Sequence, residues 1–236
     1  MAERVAVPAS CCMNLSSASI SPDLAALAQP MSIAVHASRR GRLVEDDVVA
    51  ILGTGGIGSF ITFAAAATGA TVVAVDIDPS RLEVATVLGA STAIDASSAV
   101  NLSDRIVAEV GSPTLVFECT AIADSLQLAV RTVSDNGRVV VVGHQPQPFR
   151  FDFKQVSFGE KELIGTMAHA FASDFGAAIE LIDRSPEVWA LVAPTVHPLE
   201  SVLTDGLIPM VEGRQNQIKT LFDPSLNEPR PLRTNR

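Results

Sequence analysis

A chain of 236 residues, 47% hydrophobic and 18% charged, can bury a core as one large domain or as two smaller ones. Its formal charge of −9 repels phosphate backbones and anionic lipid surfaces, so nucleic acid and membrane are excluded as predicted partners and small molecules remain. The three cysteines, Cys11, Cys12 and Cys119, cannot build a framework of bridges, and no long apolar core follows a basic start, so reduced thiols in a cytoplasm are expected.

In chain order, Glu3 to Leu15 reads as a short strand-like piece. Ser21-Pro22-Asp23 then caps a helix from Leu24 to about Arg39, with an interruption predicted at Pro30. Val48 to Leu52 reads as a strand buried on both faces, Phe60 to Thr68 as a helix, and Thr71 to Val75 as a second buried strand. Helix Pro79 to Leu88 stops at Gly89, and Thr92 to Asp95 is a third strand. A helix around Leu102 to Val110 leads to strand Leu115 to Cys119, and a helix from Ser125 to Val133 leads to strand Arg138 to Gly143. Glu162 to Gly165 makes a sixth strand. Strands alternating with helices predict an α/β fold, a doubly wound parallel sheet of six strands.

Beyond it come a helix from Asp174 to Asp183, the segment Thr195 to Leu199, a helix near Val202 to Glu212 and a last strand Ile218 to Phe222. These pieces do not extend the six-strand unit and are assigned to another layer. The expected division is a dinucleotide-binding domain over 22–166, a smaller part from 1–21 and 167–227, and a disordered tail over 228–236 carrying Arg230, Arg233 and Arg236.

The chemistry sits at the first strand-to-helix turn, Gly53-Thr54-Gly55-Gly56-Ile57-Gly58. A strand that turns abruptly into a helix needs glycine where φ is positive and where a pyrophosphate approaches the backbone; Gly53 and Gly55 meet those demands. Gly58 lets the helix lie close, and the helix N-terminus aims its unpaired N–H groups at the diphosphate. Asp76, closing the second strand, is placed to accept the adenosine ribose hydroxyls and to repel an added 2′-phosphate, which predicts NAD rather than NADP. Arg81 lies five residues on and belongs to the adenosine side. Ile57 counts with the turn, although its side chain reads as packing. An apolar, charge-free run between Asp47 and Asp76 could also span a bilayer, but its glycines cluster at the turn and its β-branched residues gather at the two ends, as one continuous helix does not explain.

Ligands of such sheets bind beyond the carboxyl ends of strands, so Cys119-Thr120-Ala121, Gly143-His144 and Thr166-Met167 are candidates by position. His144 is a weak catalytic candidate. The other histidines, His36, His169 and His197, are scattered and offer no local pair for a metal. A tyrosine-based proton relay is closed, because the chain has no tyrosine.

The chain resembles the medium-chain, zinc-type alcohol and polyol dehydrogenases. Met1-Ala2-Glu3-Arg4-Val5, Gln29-Pro30-Met31, the glycine turn, Val75-Asp76-Ile77-Asp78 with Arg81-Leu82, Leu88-Gly89-Ala90, Phe117-Glu118-Cys119-Thr120, Gly159 to Thr166 and His197-Pro198-Leu199-Glu200 carry the likeness, nearest to the polyol and butanediol branch. The resemblance implies hydride transfer between an alcohol or ketone and NAD, with zinc polarising the substrate oxygen. It places Thr120, Gly143 and Thr166 near the nicotinamide, with Cys119 beside them. It also implies that the family's cysteine ligand and His-Glu pair precede Glu3, so zinc is expected to be absent here. Gln29 stands where the family has a glutamate close to the metal. Two readings follow: an oxidoreductase reduced to its cofactor domain, whose catalysis alone is in doubt, or a non-catalytic NAD-binding or interaction subunit. A homo-oligomer through the region of Leu163 is expected in either case.

Overall fold

The computed structural model describes residues 2–15, 20–97 and 101–235. Met1 and Arg236, quoted above, lie outside them. The chain divides into two compact units, Pro30–Ala170 and a unit built from both chain ends, Met1–Gln29 with Phe171–Arg236. The interruption expected at Pro30 comes earlier in the chain. Helix α1 (Pro22–Ala26) ends at Leu27, and α2 (Ala28–Arg40) starts directly after it. Pro30 thus falls in a first turn, where its missing N–H removes no intrahelical bond. Ser21 caps α1 as read from sequence, its hydroxyl accepting from the Leu24 N–H at 3.1 Å.

The larger unit holds β1 (Val48–Leu52), α3 (Gly58–Thr68), β2 (Thr71–Asp76), α4 (Pro79–Val87), β3 (Thr92–Asp95), α5 (Leu102–Val110), β4 (Leu115–Glu118), α6 (Ala123–Thr132), β5 (Arg138–Val141), α7 (Lys154–Phe158) and β6 (Glu162–Gly165). All six strands pair in parallel in the order β3-β2-β1-β4-β5-β6, the doubly wound sheet predicted. The order reverses at β1, which pairs with β2 on one side (Leu52 opposite Val75) and β4 on the other (Leu52 opposite Glu118). Burial explains the unbroken apolar runs: Ala50, Ile51, Val73, Ala74, Val116 and Phe117 are all fully enclosed, as helices on both faces require. Helix α7 was not anticipated; five residues with no buried side chain leave no apolar period to read.

The unit from the chain ends contains α8 (Phe171–Arg184), α9 (Trp189–Val192), β7 (Thr195–Pro198), α10 (Ile208–Val211), β8 (Leu221–Asp223) and β9 (Arg230–Pro231). β7 lies between parallel β8 and antiparallel β9. Two expectations are corrected here, and one is refined. Residues Glu3 to Leu15 form no strand: they are exposed almost throughout, and the Cys11 and Cys12 N–H groups turn back to the Pro8 and Ala9 carbonyls in a 3-10 turn at Ala9–Cys11. The helix expected near Val202 to Glu212 is present, as a π-helix over Val202–Leu207 that runs directly into α10, whose Pro209 has no N–H to continue an α ladder backwards. Over its described residues, 228–235, the tail is ordered. Arg230 joins β9 and pairs with the buried carboxylate of Asp23, its Nη2 donating to Oδ1 at 2.9 Å, and Arg233 donates its N–H to Asp23 at 2.8 Å.

Burial raises the Asp23 pKa, but the Arg230 hydrogen bonds and the Arg233 N–H outweigh it and leave the carboxyl below its ordinary value. A depressed folded pKa adds stability that is present above the unfolded value of 3.8 and is lost as pH falls through the depressed one. Asp23→Asn is therefore expected to cost about 2 kcal/mol at neutral pH. The gap to the parent chain should close in acid, below pH 3.8. Thermal melts of both chains from pH 7 down to 2.5 check it, and a gap independent of pH contradicts it.

Candidate nucleotide site

The turn after β1 is built by two glycines with different jobs. Gly53 has φ +89°, a conformation that strains any residue with a side chain, and its N–H still reaches the Val75 carbonyl at 2.8 Å. Gly58 opens α3 under the turn itself: a Cβ there would lie 1.8 Å from the Gly53 carbonyl oxygen. The closeness predicted for Gly58 is thus first to the turn's own backbone, and then to Ile51 of β1, 3.5 Å away. No side chain caps α3, whose N-cap residue is Ile57. The Ser59 N–H turns back to the Gly55 carbonyl at 3.1 Å, and the positive dipole end of α3 carries no capping side chain that would compete with an anion.

Asp76 ends β2 and is buried, at 6% exposure. Its Oδ2 accepts from the Thr54 N–H at 2.7 Å and the Thr54 hydroxyl at 3.2 Å; its Oδ1 accepts from the N–H groups of Ile77 at 2.8 Å and Asp78 at 3.1 Å. Four donors from two loops lock the carboxylate and the glycine turn together. Asp78 caps α4, and hydrogen bonds from Ser80 hold its own carboxyl below the usual range. The half-exposed Arg81 reaches back from α4, with Nη1 3.8 Å from Asp76 and Nε 3.6 Å from Asp78, and its Nη1 lies 3.6 Å from where a Gly55 Cβ would be. Such exposed contacts are worth little as ion pairs. They do set the guanidinium over the glycine turn.

Gly53, Gly55, Asp76, Ile77 and Arg81 share one cleft of about 380 Å³ at the carboxyl ends of β1, β2 and β4, the switch point of the sheet. Of the residues singled out in the sequence, Gly53, Gly55, Asp76, Arg81, Cys119 and Thr120 line it. Gly56, Ile57, Gly58, Gly143, His144 and Thr166 do not. Gly143 packs behind the lining, where a Cβ would meet the Ala121 nitrogen at 2.3 Å; His144 is exposed; the Thr166 hydroxyl is buried without a hydrogen-bond partner among the described residues. Sequence reasoning missed the apolar lining of Ala96, Leu102, Ile122 and Leu128. Ala96 and Ile122 follow β3 and β4 closely, so the strand-end rule could have found them; Leu102 and Leu128 gave no signal beyond helix periodicity. A more open cavity of about 790 Å³ adjoins, sharing Leu102, Ser125 and Leu128, but takes in none of the predicted residues.

The Cys119 thiol is pushed well up by burial, with the Glu118 carboxylate adding to it, so it stays protonated through neutral pH. It is a small apolar wall rather than a nucleophile. Among the described residues, no three His, Cys, Asp or Glu side chains converge as a metal would need. The donor set present does not fit zinc, and no chemical step is assigned to it in this chain.

A family profile described as zinc-binding dehydrogenase matches residues 56–186, more than half of the chain. The chain belongs to the zinc-binding dehydrogenase family. Within that family it is of the medium-chain, polyol-dehydrogenase-like type. It is 32% identical over 168 residues to a D-xylulose reductase of Scheffersomyces stipitis, a match spanning 70% of this chain and 46% of that protein. The chain thus spans about half the length of the curated relatives it matches. Among solved structures it is similar to the 2R,3R-butanediol dehydrogenase of Bacillus subtilis, with a TM-score of 0.79 and 24% identity over 87% of this chain and 59% of that one. It is also similar to an Escherichia coli alcohol dehydrogenase complexed with NADH, with a TM-score of 0.76 and 22% identity over 86% and 60%. No helix among the described residues is long and apolar enough to cross a membrane.

Proposed function

We propose that this chain binds NAD and belongs to an oxidoreductase that moves hydride between an alcohol or ketone and the nicotinamide. One observation carries the reading: the positive-φ Gly53, Gly55 and the locked buried carboxylate of Asp76 meet at one cleft, on the turn that opens into the uncapped end of α3. The turn and helix end suit a diphosphate, Asp76 suits the ribose diol, and the apolar lining suits adenine. The NADH bound to the Escherichia coli neighbour supports the choice of cofactor. Cys119, Thr120, Gly143 and Thr166 are assigned to the nicotinamide side. Free thiols suit a reducing cytoplasm. The sheet edge at β6 is the expected homo-oligomer contact, since edge N–H and C=O groups seek a partner strand.

The reaction itself needs a group to exchange a proton with the substrate oxygen. The titratable side chains lining the cleft, among the described residues, are Asp76, Arg81 and Cys119. Asp76 is committed to four donors, and the Cys119 thiol is a very weak acid. This favours a second reading, a cofactor-binding subunit that does not turn over by itself.

Fluorescence titration with NADH tests the common premise, and turnover on secondary alcohols and diols, with and without added zinc, separates the two readings. Binding without turnover supports the second. Asp76→Asn is expected to weaken NADH binding about tenfold, because a charge-assisted pair is lost and the amide's NH2 is turned against an N–H of Thr54 or Ile77. Discrimination against NADPH should relax in part. Unchanged affinity would remove Asp76 from the site, and a parent chain that binds no NADH would overturn the proposal.

A further inference from the structure

Glu118 closes β4 directly behind the cleft and is fully buried. Its Oε1 accepts twice from one residue, from the Thr120 N–H at 2.7 Å and from the Thr120 hydroxyl in a short contact. Its Oε2 is buried and has no hydrogen-bond partner among the described residues. Half of a buried carboxylate is therefore left unpaired, a costly arrangement that packing alone would not retain. The strain does not stop there. Ala121, next along the same turn, is held at φ +60°, and Gly143 presses against it so closely that a Cβ at Gly143 would sit 2.3 Å from the Ala121 nitrogen and 2.8 Å from Oε2. The main chain ties the knot, as the Glu118 carbonyl accepts from the N–H groups of both Val142, at 2.9 Å, and Gly143, at 2.8 Å.

What this strained turn supports is the cleft. Thr120 lines it, and the Thr120 methyl lies 2.8 Å from where a Cβ on Gly53 would be, so it abuts the first glycine of the turn after β1. With its proton given to Glu118 and its oxygen accepting from the Ile122 N–H at 3.1 Å, the hydroxyl cannot rotate. Strain gathered on a ligand-facing segment is a reason to look for a role in ligand binding.

We infer that Glu118 is a positioning residue for the dinucleotide: through its double hold on Thr120 it fixes the β4 side of the cleft against Gly53, at a cost in stability. The inference rests on the NAD reading. Gln at this position keeps the length and one acceptor oxygen for Thr120 but removes the buried charge, so it weakens the hold while easing the unpaired half.

The experiment pairs thermal melting with NADH titration on the full chain for four proteins: the parent, Glu118→Gln, Thr120→Val and Thr120→Ser. Glu118→Gln is expected to melt about 3 °C higher and bind NADH about tenfold more weakly. A purely structural residue would move both in the same direction. Thr120→Val removes the donated proton and should likewise lose about tenfold in affinity, while Thr120→Ser retains it, gives up only the methyl that abuts Gly53 and should lose clearly less. Parent-like affinity in Glu118→Gln, or equal losses in the Val and Ser variants, overturns the inference with the NAD reading intact. If Glu118→Gln does not fold, the Val and Ser pair decides alone. A parent chain that binds no NADH defeats the underlying reading instead.

Discussion

Gly58→Ala is expected to abolish NADH binding, with a loss of at least about 100-fold, and to destabilise the larger unit by about 3 kcal/mol. The reason is metric. A methyl at position 58 would stand 1.8 Å from the Gly53 carbonyl oxygen and 2.9 Å from its carbon, well inside contact distance, so one side of the turn must move by more than an ångström. Neither side can move alone. Gly53 is held by the Val75 carbonyl and by its own φ of +89°, Thr54 is held by Asp76, and Gly58 is the first residue of α3. Displacing the turn swings the Thr54 N–H off the carboxylate and tilts the helix end away from the diphosphate. Gly55→Ala is the control that separates folding from binding. A Cβ there would meet only the flexible end of Arg81, at 3.6 Å, so this variant should melt like the parent yet lose affinity, because its methyl occupies ground that a diphosphate needs. Melting curves and NADH titrations of both variants check the pair. Tight binding by Gly58→Ala would mean that the diphosphate does not use this turn.

The same residues indicate why the sheet was legible in the sequence and half of its site was not. Strands such as Val48–Leu52 and Thr71–Asp76 announce themselves at the residue level, since two-sided burial demands an unbroken apolar run, and helix Leu102–Val110 stops at Gly111, held at φ +78°. The glycine turn and Asp76 were legible for a similar reason: backbone geometry admits few residue types there. Glu118 was not. It sits inside a strand pattern, and the fact that gives it meaning, an oxygen left unpaired beneath Gly143, depends on a loop some 25 residues away in sequence. The chain ends misled for the opposite reason. Arg230 and Arg233, set among prolines, look like a solvated tail until Asp23, over 200 positions earlier, supplies the partner. Periodicity cannot report a pairing of that range. Likewise Pro30 looked like a helix breaker because its distance from the start of α2 is set by the break at Leu27.

The other large effect lies at the opposite ends of the strands. Asp47, at 4% exposure, precedes β1, and Arg138 opens β5; their side chains pair in a short contact. Further hydrogen bonds hold both groups. Asp47 also accepts from the Thr114 hydroxyl at 2.6 Å and the Val44 N–H at 2.9 Å, while Arg138 donates to the carbonyls of Gly41 at 2.6 Å and Arg42 at 2.8 Å. One acid and one base thus tie the loop after α2 to the starts of β1, β4 and β5. Removing a single partner leaves a buried charge uncompensated, which costs about 3–5 kcal/mol, whereas removing both leaves no such charge. Asp47→Ala and Arg138→Met are each expected to lose an amount in that range. The double variant should lose clearly less than their sum, the mark of a coupled pair. A five-residue strand separates this network from the cleft by roughly 16 Å. NADH affinity of the folded fraction should therefore stay within about twofold of the parent in all three variants, the reverse of the pattern set out for Glu118→Gln. Urea denaturation with a constant m-value, followed by titration below the transition, measures both quantities. Additive losses would show that the two residues act separately, and a parallel fall in affinity would show that the two ends of the sheet are not independent.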